Sequence, residues 1–226
     1  QPHLAVGRRH RQPIDGIIGR EIERQHVHLH AELDAIDRLA VATADREVGL
    51  VIANAATVPI GPFIEAPPSE LDRAIAVNCS APMRLARRFL PPMVERGRGG
   101  LVVMSSMAGL QGSAGLVGYS STKAYELVLA EGLWFEMRRH GLDVIGSAAG
   151  AIAGEKLDGV SSKEAPGTLP PERVAMDTLD ALGRGPRVIP GRTNRLGAFV
   201  FGRLLTRRAA VRAMARASGG LSVTGN

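Results

Sequence analysis

Three short apolar runs constrain this chain more than any other feature: residues 48–53, 99–105 and 142–148. The first is nearly continuous in apolar residues, the pattern of a strand buried on both faces of its sheet. Stretches of helical composition lie between the runs, and strand alternating with helix over short connections predicts a parallel α/β sheet. Further strands are expected at 4–6, 25–30 and 187–190, and helices at 13–24, 31–43, 119–140 and 172–182. Another helix is expected to begin after Ser69, a good cap with Asp72 three residues on, and the helix from Tyr119 meets its stop at Gly141. With 226 residues, 45% of them hydrophobic, the chain can bury one sizeable core and has little room for a second domain.

The formal charge of +6 is mostly arginine, concentrated at 8–11 and in the last third of the chain. Such a balance raises nucleic acid or a membrane surface as partners. Only 4% of residues are aromatic, however, and no stacking platform or recognition motif is present, so nucleic acid is set aside. One cysteine, Cys79, excludes an internal disulfide and reads as an inert core thiol in an apolar helix. No apolar run reaches the roughly 18 to 20 residues that span a bilayer, and no apolar signal core is visible near residue 1; a cytoplasmic protein is expected. His26, His28 and His30 would share one face of a strand, yet no carboxylate or cysteine stands at clear ligand spacing, so no metal is assigned. Residues 192–226 form a distinct tail. Leu196, Phe199, Val200, Leu204 and Leu205 recur at helical spacing among Arg203, Arg207, Arg208, Arg212 and Arg216, which predicts a basic amphipathic helix. That helix can lie on an anionic membrane surface, or cover the core of its own domain or of a neighbour.

Chemistry is expected where strands end. Asn54 closes the first run, at the carboxyl edge where open α/β sheets bind ligands. Ser106 follows the second run, Tyr119 comes thirteen residues later, and Lys123 four residues after that. Four residues is about one helical turn, so the phenol and the ammonium share a face. A free tyrosine has a pKa near about 10, and an adjacent ammonium favours the phenolate, bringing the group closer to useful acid/base range. The serine hydroxyl at a strand end can meet a carbonyl or alcohol oxygen. Asn78 stands amid Ala76, Val77 and Cys79, where a mediocre helix former calls for a reason.

Ser106, Tyr119 and Lys123 in this spacing resemble the active site of the short-chain dehydrogenase/reductase family. Two more segments match in the same order: LVIANAA (50–56) is similar to the family's strand ending in Asn-Asn-Ala-Gly, and AVNCSAP (76–82) to the helix carrying its fourth catalytic residue, here Asn78. The resemblance implies a Rossmann-like doubly wound sheet and an NAD(P)-dependent oxidoreductase that interconverts an alcohol and a carbonyl. Ser106 would hold the substrate oxygen and Tyr119 would act as general acid/base. Lys123 would tune the tyrosine and hold the cofactor ribose, and Asn78 would support a water leading to solvent. NADP, or NAD, would be bound by Arg8 and Arg9 at a 2′-phosphate and by Asn54, Tyr119, Lys123, Gly150 and Ile152. It also implies a homodimer or homotetramer, for which the helix face with Leu127, Leu129, Leu133 and Trp134 is broad enough, although packing on the chain's own core accounts for that face equally well. Residues 155–170, rich in Ser, Gly and Pro, read as a mobile flap, and the small apolar lining at 107–118 suits an apolar small-molecule substrate.

Departures from the family pattern fall on the cofactor side. Ala53 and Ala56 replace the usual Asn and Gly, and residues 149–154 lack the family's proline and threonine. The first strand and its glycine-rich phosphate turn have no counterpart, so domain 1–191 is expected to be incomplete at its N-terminal side. Gly16 and Gly19 do not supply that turn, since no strand closely precedes them. The alternative these departures raise is a catalytically silent relative that binds partners or a membrane surface.

Overall fold

A computed structural model of the chain describes residues 34–154 and 167–218. Expectations for 4–6, 13–24 and 25–30, with Arg8, Arg9, Gly16, Gly19 and the three alternating histidines, lie outside the described residues, as does most of the expected flap.

Four parallel strands form one sheet in sequence order: β1 (Leu50–Ala53), β2 (Gly99–Ser106), β3 (Leu142–Ala149) and β4 (Arg187–Val188). The three apolar runs are therefore strands. Helices cover both faces of β2 and β3, whereas β1 leaves Leu50 and Ile52 37% and 51% exposed among the described residues, so the burial on both faces expected of it is not found. On one face α3 (Ala81–Arg96) and α4 (Val117–Met137) pack Leu90, Met93 and Ala130 against Leu101, Val103 and Val144. On the other face α5 (Pro171–Ala181) joins β3 through a 2.8 Å hydrogen bond between Thr178 and Ser147 hydroxyls. The result is the Rossmann-like α/β sheet expected. Helix α1 (Asp34–Ala42) rests on α3, where Ile36 meets Leu85 and Ala53.

Helix α2 (Pro68–Ile75) begins two residues earlier than expected. Pro67 is its cap and Pro68 its first residue, because proline's fixed φ suits that position and its missing N–H is one of those a helix start leaves unpaired; Ser69 is not the cap. One π-helical turn, Ala76–Ser80, joins α2 to α3, with Ala81 N–H donating to Ala76 C=O. Its buried residues are Val77, Asn78 and Cys79. Helix α4 starts two residues before Tyr119, and after a 3-10 turn at Arg138–His140 it stops at Gly141, whose φ of 77° is the left-handed conformation that favours glycine.

The tail corrects the expectation of one helix. It forms α6 (Arg192–Phe199), a π-turn (Val200–Leu204), extended backbone at Leu205, and α7 (Arg207–Ser218). Gly197 and Gly202 weaken the first stretch. Thr206 starts the second, its Oγ1 accepting from Ala209 N–H at 3.3 Å in the manner of an N-cap.

Candidate functional site

Ser106 closes β2 and caps the 3-10 turn Met107–Leu110; its Oγ accepts from Ala108 N–H at 3.1 Å. With an N–H already seated on the oxygen, the hydroxyl hydrogen is left to donate outward. Tyr119 lies in the first turn of α4, half-buried, with Lys123 one turn on. The Lys123 ammonium is 5.6 Å from the Tyr119 ring centroid, so the two groups share a face as the spacing predicts.

Three contacts lock the end of β2 to this part of α4. Ser105 Oγ donates to Lys123 C=O at 2.7 Å, and Lys123 Nζ donates to Met104 C=O at 2.9 Å. The third is Gly109, where a Cβ would lie 2.6 Å from the Lys123 carbonyl carbon. Gly109→Ala must therefore push the turn off α4. Overpacking against backbone costs about 1–3 kcal/mol or more, so a drop in Tm and a larger fractional loss of turnover are expected; unchanged values of both would contradict this packing.

Glu126, which the sequence reading did not single out, is the second charge of the site. It is 2% exposed beside Lys123 at 3%, and Nζ stands 3.0 Å from Oε1, its acceptor, and 2.9 Å from Oε2. Burial pushes the Glu126 carboxyl up to about 7, with Lys123 and the Ser105 hydroxyl pulling the other way. Its folded value thus lies above the unfolded one. The folded chain binds the extra proton between about 4.5 and 7, so stability falls as pH rises through that window. Glu126→Gln, which cannot titrate, is expected to remove this component from denaturation free energies measured across the range; identical pH slopes for the two proteins would contradict it.

Asn78, fully buried in the π-turn, spends its amide on protein groups. Its Oδ1 accepts from Thr57 N–H, and its Nδ2 donates to Thr57 C=O and Thr122 Oγ1, each at 2.9 Å. The amide therefore staples the loop after β1 to α4, a task the sequence reading, with its expected water, did not foresee. Cys79 beside it is a buried thiol pushed up to about 11, chiefly by burial and next by Glu126, in keeping with an inert core residue.

A cavity of about 440 Å³ opens at the carboxyl edge of β1 and β2, on the α5 face. Asn54 stands at it, with Ile52, Val102 and Met104 from the strands, Ile152 and Gly154 from the loop after β3, and Thr178 of α5. Asn54 and Ile152 both line it, whereas Ser106, Tyr119, Lys123 and Gly150 do not. Gly150 is tight for a different reason: a Cβ would lie 2.7 Å from Nδ2 of Asn194, the buried side chain that donates to Gly167 and Pro190 carbonyls and holds the loops together.

Of the two accounts of the apolar face of α4, packing on the chain's own core is the one found. Leu127 is buried, and Leu133 and Trp134 pack against the core, because their face of α4 lies on the sheet. Beyond Val117 at its start, the large apolar residues α4 leaves exposed are Val128 and Phe135, seven residues apart.

A family model described as short chain dehydrogenase matches residues 22–165, more than half of the chain. The chain belongs to the short-chain dehydrogenase family. Among members of that family it is 35% identical over 133 residues to a sorbitol dehydrogenase of Cereibacter sphaeroides, covering 57% of this chain and 52% of that protein. It is 26% identical over 168 residues to a 7beta-hydroxysteroid dehydrogenase of Clostridium sardiniense, covering 73% and 64%. The matched stretches thus span from half to just under two thirds of these curated relatives. A solved short-chain dehydrogenase structure from Streptomyces avermitilis superposes with a TM-score of 0.66 at 28% identity, covering 87% of this chain and 78% of that one.

Proposed function

We propose that the protein is an NAD(P)-dependent oxidoreductase that interconverts an alcohol and a carbonyl, with Tyr119 as general acid/base. The single observation that carries this reading is the Lys123 ammonium, buried, braced by Met104 C=O and Glu126, and 5.6 Å from the Tyr119 ring.

The described residues fit the nicotinamide end of such a cofactor. The cavity floor of Ile52, Val102 and Met104 is apolar and Asn54 offers an amide at its rim. An ammonium carries three hydrogens; Lys123 commits two, to Met104 and Glu126, and the third can reach a ribose hydroxyl. Ala153 N–H and Ala151 C=O pair with Leu169, which turns the amide of Ile152 the other way along the strand. Asn54, Ile152, Gly150, Tyr119 and Lys123 are the residues proposed to hold the cofactor, with Arg8 and Arg9 proposed for a 2′-phosphate. When bound, the nicotinamide supplies or accepts the hydride.

In the reductive direction Ser106 donates its free hydroxyl hydrogen to the carbonyl oxygen and fixes its position. As that oxygen gains negative charge, Tyr119 O–H transfers its proton to it, and the alcohol forms. The phenolate left behind is stabilised by the Lys123 charge, and Glu126 keeps that charge in place. Asn78 acts on the same helix as a positioning residue, through Thr122. Oxidation runs the same proton and hydride transfers in reverse. The substrate proposed is an apolar alcohol or ketone, since residues 107–118 carry no formal charge. A homodimer or homotetramer through Val128 and Phe135 of α4 belongs to the same reading.

Titrating the chain with NADPH while following cofactor fluorescence tests it. Saturable enhancement, weakened by Lys123→Ala, is expected. Absence of binding by a natively folded sample would favour the silent relative.

A further inference from the structure

We propose that the segment running from α6 through α7 docks this protein on an anionic lipid surface. Of the 28 basic residues, seven, all arginine, lie in 192–226, which holds no acid. The first 191 residues therefore carry 21 basic against 22 acidic residues, one charge below neutral. The whole positive excess of the chain sits on this segment.

Apolar exposure coincides with that charge. Leu196, Phe199 and Leu204 are 64%, 56% and 66% exposed, although they stand on helical turns that could have been folded inward. Positions 196, 199 and 203 follow one another at spacings of three and four, so Leu196, Phe199 and Arg203 share a face with Leu204 at its margin. Arg192, Arg208 and Arg212 are exposed as well. Apolar side chains mixed with arginines, whose stems lie along apolar surface while the guanidinium reaches phosphate, suit a bilayer interface. A second copy of this chain suits it less, because the same arginines would face one another.

The segment is also tied to the catalytic loop. Arg207 Nη1 donates to Leu110 C=O at 2.8 Å, and on the same loop Gly115 C=O accepts from Gly61 N–H at 2.9 Å. Gly61 leads into a 3-10 turn, Phe63–Glu65, whose Ile64 is 93% exposed. Docking through the tail would therefore bring the segment between Ser106 and Tyr119 towards the lipid, where apolar molecules collect.

Co-sedimentation of the 226-residue chain with vesicles tests the proposal. Binding to phosphatidylcholine vesicles containing phosphatidylglycerol, absence of binding to phosphatidylcholine alone, and loss of binding in high salt are expected. Replacing Arg203, Arg208 and Arg212 together by Gln should weaken binding on the order of 100-fold, and L196D/F199D/L204D should abolish it with an unchanged circular dichroism spectrum. The arginine variant changes only exposed side chains, so it remains informative if the aspartate variant fails to fold. No binding by folded wild-type protein overturns the proposal, as does equal binding by the arginine variant. So does a result in which the substitutions break a dimer while vesicle binding persists, which would assign the face to a second copy.

Discussion

Tyr119→Phe is expected to lower kcat by about 10²–10⁴-fold, the range a positioned general acid/base supplies, while NADPH still binds. The substitution removes one oxygen from a half-buried ring and leaves the ring facing Lys123. Lys123 keeps Met104 C=O and Glu126, so the site's charges stay balanced. The stability change should therefore stay near about 1 kcal/mol. Steady-state kinetics with a small ketone, beside cofactor titration and thermal melting, separate the effects. A loss of NADPH binding equal to the loss of turnover would assign Tyr119 to cofactor binding rather than proton transfer.

Lys123→Met should act on both activity and stability. The phenolate loses its neighbouring charge and the proposed ribose contact goes, so turnover falls at least as far as in Tyr119→Phe. The buried Glu126 carboxylate also loses its counter-charge. Breaking a buried pair from one side costs about 3–5 kcal/mol, because an unpaired charge remains in the interior. The remedy open to Glu126 is to take up a proton, towards which burial already pushes it, so the loss of stability should shrink as pH falls below about 7. Adding Glu126→Gln removes the stranded charge, and the double variant should recover much of the stability with none of the activity. Chemical denaturation at two pH values checks this. A single variant equally destabilised at pH 5 and pH 8, or a double variant no more stable than the single one, would show that the pair does not carry the energy assigned to it.

The parts of this site legible in the sequence were those written in local order. Strands β2 and β3 announced themselves because a strand covered on both faces must be apolar throughout; β1 carries the same apolar pattern although one of its faces, with Leu50 and Ile52, is exposed among the described residues. Ser106, Tyr119 and Lys123 lie within one short stretch whose spacing is fixed by a strand end and a helical turn. Asn78 was legible as an oddity among apolar neighbours, but its staple to Thr57 and Thr122 was not, since those partners lie 21 and 44 residues away. Glu126 stood in view, three residues after Lys123 on the same helix. Its burial is a property of the fold, and an exposed pair at that spacing would have meant little. Gly109 gave no local signal, since its close approach to the Lys123 backbone exists only once β2 and α4 have packed.

The remaining gaps have the same origin. Whether Leu127, Leu133 and Trp134 meet a partner or their own core stays open in the sequence, because helical periodicity identifies an apolar face without saying what covers it. The tail was expected as one helix because its apolar period runs across Leu205, and only the cap at Thr206 divides it.

The most direct measurement of the account is isotopic. Incubating the chain with NADPH carrying deuterium at the transferred position of C4 and an apolar ketone, then analysing the alcohol by mass spectrometry, asks whether hydride moves within this site. The account predicts deuterium on the former carbonyl carbon with wild-type protein and its near absence with Tyr119→Phe. An alcohol formed equally by both proteins, or deuterium that never reaches that carbon although the folded chain binds NADPH, would contradict it.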